Sequence, residues 1–245
     1  MRIRLSHIVL LISVANIGLA FCQTNTEATA NKSPKCHFQI LNGISSGPVD
    51  IFLDNKLIFP SSTTGQRISS LGWPSEKFEV RLVDKNSNRE KKQVIELGEG
   101  NYATLILTGD FQPLPKAENA KPDDPPEVRT FIHTLSNKLE PGEGSIRVRL
   151  VNGLVDKPVT VKAGDGKTWT IPPLKIVSAT SLPQELRLQA SLDNKDTALY
   201  LAQKQPAKNI SVVFFPANGG LGFRAMVETT PETIKADAQE TQASN

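Results

Sequence analysis

Three histidines in 245 residues leave this chain little from which to build a zinc or acid–base centre. One of them, His7, falls in an N-terminal leader, and His37 and His133 stand far apart with no ligand-like spacing. Cysteine is as scarce. Cys22 and Cys36 cannot staple a chain of this length, so the fold must rest on apolar cores. Cys36 reads as a half-buried small residue at the start of a strand. No Gly-x-Ser-x-Gly elbow, no Gly-x-Gly-x-x-Gly turn and no phosphate-cradling loop is present. Asn218-Gly219-Gly220 is the nearest approach to such a loop, and it lacks the lysine that would follow. Asp123-Asp124, Asp165 and Asp193 do not show the alternating acids of a calcium loop. No basic run interleaved with aromatics appears, which argues against nucleic-acid binding. The expectation is a non-enzymatic protein with no catalytic residue, no cofactor and no metal.

What is present begins with an export signal. Arg2 and Arg4 precede an apolar stretch from Ile8 to Phe21, and Gly18-Leu19-Ala20 or Ala20-Phe21-Cys22 supplies a small-x-small cleavage site. The apolar run falls short of the ~20 residues of a membrane helix, so no span is expected once the leader is removed. Leu19-Ala20-Phe21-Cys22 also resembles a lipobox with Cys22 as the lipidated residue, although Phe21 is bulky for that motif. Residues 1–22 are read as the signal peptide, and losing them lowers the net charge from +3 to +1. A polar spacer at 23–35 follows, and a polar tail at 231–245 reads as disordered.

The most informative feature is an internal duplication. Phe38-Gln39-Ile40-Leu41-Asn42-Gly43 and Pro48-Val49-Asp50-Ile51 align, without a gap, with Val148-Arg149-Leu150-Val151-Asn152-Gly153 and Pro158-Val159-Thr160-Val161. Helical periodicity is nearly absent between the polar ends. Strands are expected at 36–42, 49–53, 78–83, 92–97, 102–107 and 128–132, and in the second copy at 145–151, 159–162, 185–192, 197–202, 210–215 and 223–227. Glu140-Pro141-Gly142-Glu143-Gly144 marks a hinge. The expected fold is all-β, with two tandem immunoglobulin-like β-sandwich domains at 36–137 and 145–230 joined by a hinge at 138–144.

Within this frame, Asn42-Gly43 and Asn152-Gly153 read as left-handed turns leaving the first strand of each copy. Val128-Arg129-Thr130-Phe131-Ile132 is matched to Phe223-Arg224-Ala225-Met226-Val227, which sets His133 opposite Glu228 and makes both exposed strand residues. Trp73, in an apparent loop, and Trp169 are not equivalent under the repeat. Each is either core filler or an exposed ring that could meet a glycan or a protein partner.

Arg147 to Gly153 with Pro158-Val159-Thr160-Val161, and Leu41 to Gly43 with Pro48 to Asn55, resemble the opening of a bacterial exported β-sandwich family catalogued as domain of unknown function 4397. Gly98 to Tyr102 and Leu107 to Asp110 resemble its later strands. Gly43 and Gly153 depart from the family pattern, in which Ala-Ser-Pro usually follows the asparagine. The chain is also similar to the small periplasmic accessory protein of alginate O-acetylation. These resemblances imply a tandem, non-catalytic envelope protein, periplasmic or extracellular, that acts as scaffold or adaptor in surface polysaccharide modification or export. Its partner would be an envelope protein or a polysaccharide. The other function class is a carbohydrate-binding or adhesive surface module using Trp73 or Trp169.

Overall fold

The computed structural model describes residues 34–98, 100–115, 126–137, 145–183, 186–193, 195–201, 209–217 and 220–228. The signal peptide, nearly all of the spacer, the 138–144 hinge, the Asp123-Asp124 pair, Asn218-Gly219 and the 231–245 tail lie outside them. All described residues belong to one compact unit, Ser33–Asn245. No described helix is long and apolar enough to cross a membrane.

The architecture is all-β. The first lobe comprises β1 (Cys36–Ile44), β2 (Val49–Leu53), β3 (Lys56–Ser62), β4 (Arg67–Trp73), β5 (Lys77–Asp84), β6 (Glu90–Glu96), β7 (Asn101–Pro113) and β8 (Val128–Ser136). The second comprises β9 (Ser145–Asn152), β10 (Val159–Ala163), β11 (Thr168–Ile171), β12 (Ile176–Pro183), β13 (Leu186–Leu192), β14 (Lys195–Leu201), β15 (Asn209–Ala217) and β16 (Gly220–Val227). Sheet orders are β4-β1-β7-β8 and β3-β2-β5-β6 in the first lobe, β12-β9-β15-β16 and β11-β10-β13-β14 in the second. Adding eight to each strand of the first lobe reproduces the second, so the duplication extends to topology.

Strands β3, β4, β11 and β12 are additional to those expected from sequence. Each is a sheet edge, and β3 and β4 carry Pro60, Ser61, Ser69, Ser70 and Gly72 at exposed positions. Edge strands are half-solvated and tolerate proline and glycine, so they lack the apolar alternation that marks a paired strand. Trp73 accordingly closes β4 and is not in a loop.

Two strands in each lobe are buried on both faces. β1 pairs in parallel with β7, and β9 in parallel with β15. Inward residues Phe38, Ile40, Leu105 and Leu107 join Ile51, Val80 and Leu82 of the facing sheet in one core. Val148, Leu150, Val212 and Phe214 join Val161, Leu188 and Ala190 in the equivalent core of the second lobe. The opposite faces of these central strands are apolar too, as central parallel-paired strands require something to cover both sides. Leu41, Ile106, Val151, Val213 and Met226 form a third cluster, with Leu135, Ile176 and Phe215 packed against it. This cluster is the seam where the two lobes meet.

Candidate functional site

The seam is reciprocal, and strand register shows how closely. Leu41 pairs with Ile106 in β1/β7, and Val151 pairs with Val213 in β9/β15. Thr104 lies opposite Leu135, and Ser211 opposite Met226. Leu41, Ile106 and Leu135 are therefore the counterparts of Val151, Val213 and Met226, three equivalent pairs at the centre of the seam, whereas Ile176 and Phe215 stand where the first lobe has Arg67 and Thr108. Contacts that repeat under exchange of the two halves define an isologous interface, here within one chain.

This register corrects the expected match of the closing strands by four residues. Asn137 N–H donates to the Tyr102 carbonyl at 2.9 Å, and Glu228 N–H donates to the Asn209 carbonyl at 3.0 Å. Asn137 is thus the counterpart of Glu228, and His133 is the counterpart of Arg224. Neither His133 nor Glu228 is an exposed strand residue: Glu228 is 1% exposed and His133 half-buried. The apolar residues of β8 and β16 look alike when shifted, and only the pairing partners identify the true register.

Polar groups flank the apolar seam. In the first lobe, Gln39 Nε2 donates to Thr104 Oγ1 (3.0 Å), and Thr104 Oγ1 donates to Asn137 Oδ1 (3.2 Å). At the corresponding positions of the second, Arg149 Nη1 lies 3.2 Å from Glu228 Oε1, and Ser211 Oγ donates to Glu228 Oε1 at 2.7 Å. Each network also reaches across the seam. Gln39 Nε2 donates to the Val227 carbonyl (3.1 Å), and Arg149 Nη2 donates to the carbonyl of Ser136, the counterpart of Val227. One half holds a neutral triad where the other holds a charged one.

Burial sets the electrostatics of that charged triad. It pushes the Glu228 carboxyl up, against the opposing pull of Arg149 and Ser211, and it brings the Arg149 guanidinium down. Glu228 Oε2 and both side-chain polar atoms of Asn209 have no hydrogen-bond partner. Ser211 is 0% exposed, so its hydroxyl, although bonded to a carboxylate, faces no solvent from which a substrate could approach. On the first-lobe side, Thr108 Oγ1 and His133 Nε2 lie 2.9 Å apart, and burial, then Lys175, lowers the His133 pKa.

Asn42 and Asn152 are fully buried clamps. Asn42 Oδ1 accepts the Ile44 N–H at 2.9 Å, and its Nδ2 donates to the Ser62 carbonyl and hydroxyl. Asn152 Oδ1 accepts the Leu154 N–H at 2.9 Å, and its Nδ2 donates to the carbonyls of Lys157 and Ile171. Neither Gly43 nor Gly153 has the positive φ of a left-handed turn. A Cβ on Gly43 would sit 2.8 Å from Val213 Cγ1, and one on Gly153 would sit 2.7 Å from the Phe214 carbonyl and 3.2 Å from that of Gly43. These glycines let the lobes approach closely at the seam.

The two tryptophans fall in different lobes and are not brought together. Trp73 is half-buried, tilted against Phe78 at 6.2 Å, and its Nε1–H donates to Asp54 Oδ2 at 3.1 Å. Trp169 is half-buried against the second core. Cys36 is buried with its Sγ 3.2 Å from the Ser75 carbonyl, and burial, with Glu76, pushes its thiol pKa up. Among the described residues no three His, Cys, Asp or Glu side chains converge as metal ligands would. Scans against family models and against curated proteins find no match to the chain.

Proposed function

We propose that the chain is a non-catalytic, exported adaptor of a bacterial envelope, made of two immunoglobulin-like sandwiches and serving surface polysaccharide modification or export. The observation that carries this reading is the contrast between the two outward sheet faces. The cores and three apolar pairs of the seam are kept alike in both copies, whereas the outer faces have diverged. Across β3-β2-β5-β6 one register row reads Leu57, Phe52, Arg81, Lys92; across β11-β10-β13-β14 the corresponding row reads Thr168, Lys162, Gln189, Ala198. Leu57 and Val94 on the first face are exposed large apolar side chains, at 44% and 55%. A body held together by a shared seam, with two unlike faces pointing away from it, is suited to holding two unlike neighbours. The duplicated Asn-Gly and Pro-Val segments, which resemble exported tandem sandwich domains, support the same reading.

Affinity capture tests it. Protein recovered from gently solubilised native envelope should carry stoichiometric companions, among them acyltransferase or polymer-export proteins. Leu57→Asp should release part of that set while leaving the melting temperature near that of the parent. Recovery of the chain without a protein companion contradicts the adaptor role.

A further inference from the structure

The seam is equivalent at its centre and unlike on its two flanks, and the flanks differ in one consistent direction. On the first flank, Phe215 of the second lobe lies against Gly65 of the first. A Cβ on that buried glycine would sit 3.0 Å from Cζ of the ring. Beside it, Arg224 Nε donates to the Gly65 carbonyl at 3.0 Å. Hydrogen bonding identifies what stands at these positions on the other flank. Asn42 N–H donates to the Gln66 carbonyl at 2.9 Å and Asn152 N–H to the Lys175 carbonyl at 3.0 Å, so Gly65 and Leu174 are counterparts. Both hold left-handed backbone, at φ 80° and 58°. Thr108 is the counterpart of Phe215, and His133 that of Arg224. The second flank therefore sets Leu174 of the second lobe beside Thr108 of the first. His133, 2.9 Å from the Thr108 hydroxyl, feels the charge of Lys175 there.

On both flanks the bulk comes from the second lobe and the room from the first: Phe215 faces a glycine, and Leu174 faces a threonine. Ile176 extends the pattern, packing on the seam where the first lobe has Arg67. Phe131, the counterpart of Gly222, does not restore bulk to the first lobe. It is 40% exposed, its ring stacked 6.3 Å from that of His133. Two first lobes placed seam to seam would set Thr108 against Gly65 twice and leave two cavities. Two second lobes would drive Phe215 into Leu174 twice. Cavities and overpacking both destabilise a packed surface. We infer that the seam is a directional interface accepting unlike lobes only, and that the partner it fits from outside the chain is the unlike lobe of a second copy, giving a closed pair of chains with exchanged lobes. Such a pair forms two seams from two chains, as many as two separate chains form, so exchange sacrifices no seam contact and concentration decides between the forms. Misfit built against the wrong pairing is what keeps two related surfaces from pairing with themselves. The inference rests on packing at the seam and not on the adaptor role.

Native mass spectrometry of two full-length variants tests it. Gly65→Leu fills the space in the first lobe and crowds Phe215, whereas Phe215→Thr empties the second lobe's side of the same contact. Neither chain can close a matched flank by itself. Across two chains both contacts are matched: the altered first lobe meets the altered second lobe as Thr108 meets Leu174, and the two unaltered lobes keep the native contact. Unfolded together in urea and refolded at high protein concentration, the variants should give mixed dimers that outnumber like dimers by about tenfold, the effect of relieving one overpacked contact. Both substitutions on one chain rebuild the match internally, so the double variant should remain monomeric and melt above either single variant. Like dimers as abundant as mixed ones, absence of any mixed dimer, or a double variant that melts no higher than the singles would each overturn the inference.

Discussion

At the scale of single residues, the duplicated Asn-Gly pair shows how one dipeptide can satisfy two separate demands. The asparagine makes two equivalent bonds in both copies, to the amide two residues on and to the carbonyl of Ser62 or Ile171, while its third bond goes to the Ser62 hydroxyl in one copy and the Lys157 carbonyl in the other. Removing a buried side chain that satisfies several backbone groups leaves those groups unpaired, so Asn42→Ala and Asn152→Ala should each cost about 2–4 kcal/mol in urea unfolding. The glycine answers to packing alone. Gly153→Ala meets backbone carbonyls that cannot step aside and should cost about 2–3 kcal/mol, whereas Gly43→Ala presses first on a valine methyl and should cost less. The order of the two losses checks that close approach, and not turn conformation, is what requires glycine here.

At the scale of elements, β1, β7, β9 and β15 were legible because strands buried on both faces read as continuous apolar runs, as in Tyr102 to Leu107. The edge strands β3, β4, β11 and β12 were not legible, because exposure removes the pattern that sequence reading relies on. The seam was hidden for another reason: outward residues such as Gln39 and Arg149 look solvent-facing until a second sheet covers them. Their networks yield a sharp prediction. Arg149→Gln or Glu228→Asn alone leaves a buried charge uncompensated and should cost about 3–5 kcal/mol. Together they rebuild the Gln39 and Asn137 arrangement of the first lobe, so the double variant should unfold closer to the parent than either single variant. Similar losses that simply add would contradict the equivalence.

His133 on β8 gives the seam a pH dependence whose sign follows from burial. Its folded-state pKa lies below the ordinary 6.5, so as pH falls through 6.5 the unfolded chain gains a proton before the folded chain does. Stability should therefore decline from about pH 6.5 downward and level off once folded His133 itself protonates. In His133→Gln this part of the pH profile should disappear, which unfolding series at several pH values would reveal.

At the scale of the whole molecule, the duplication has produced a fused pair in which the inner faces are spent on each other and the outer faces are free to differ. Six apolar seam residues form three equivalent pairs, and two of the hydrogen bonds that cross the seam are reciprocal. The adaptor reading depends on the two faces being held by one body, so the coupling of the lobes is the claim that most needs testing. Differential scanning calorimetry addresses it directly. The account predicts a single unfolding transition whose van't Hoff and calorimetric enthalpies agree, and it predicts that Val213→Asp, which drives a charge into the seam, splits that transition in two. Two independent transitions in the unaltered protein would contradict it.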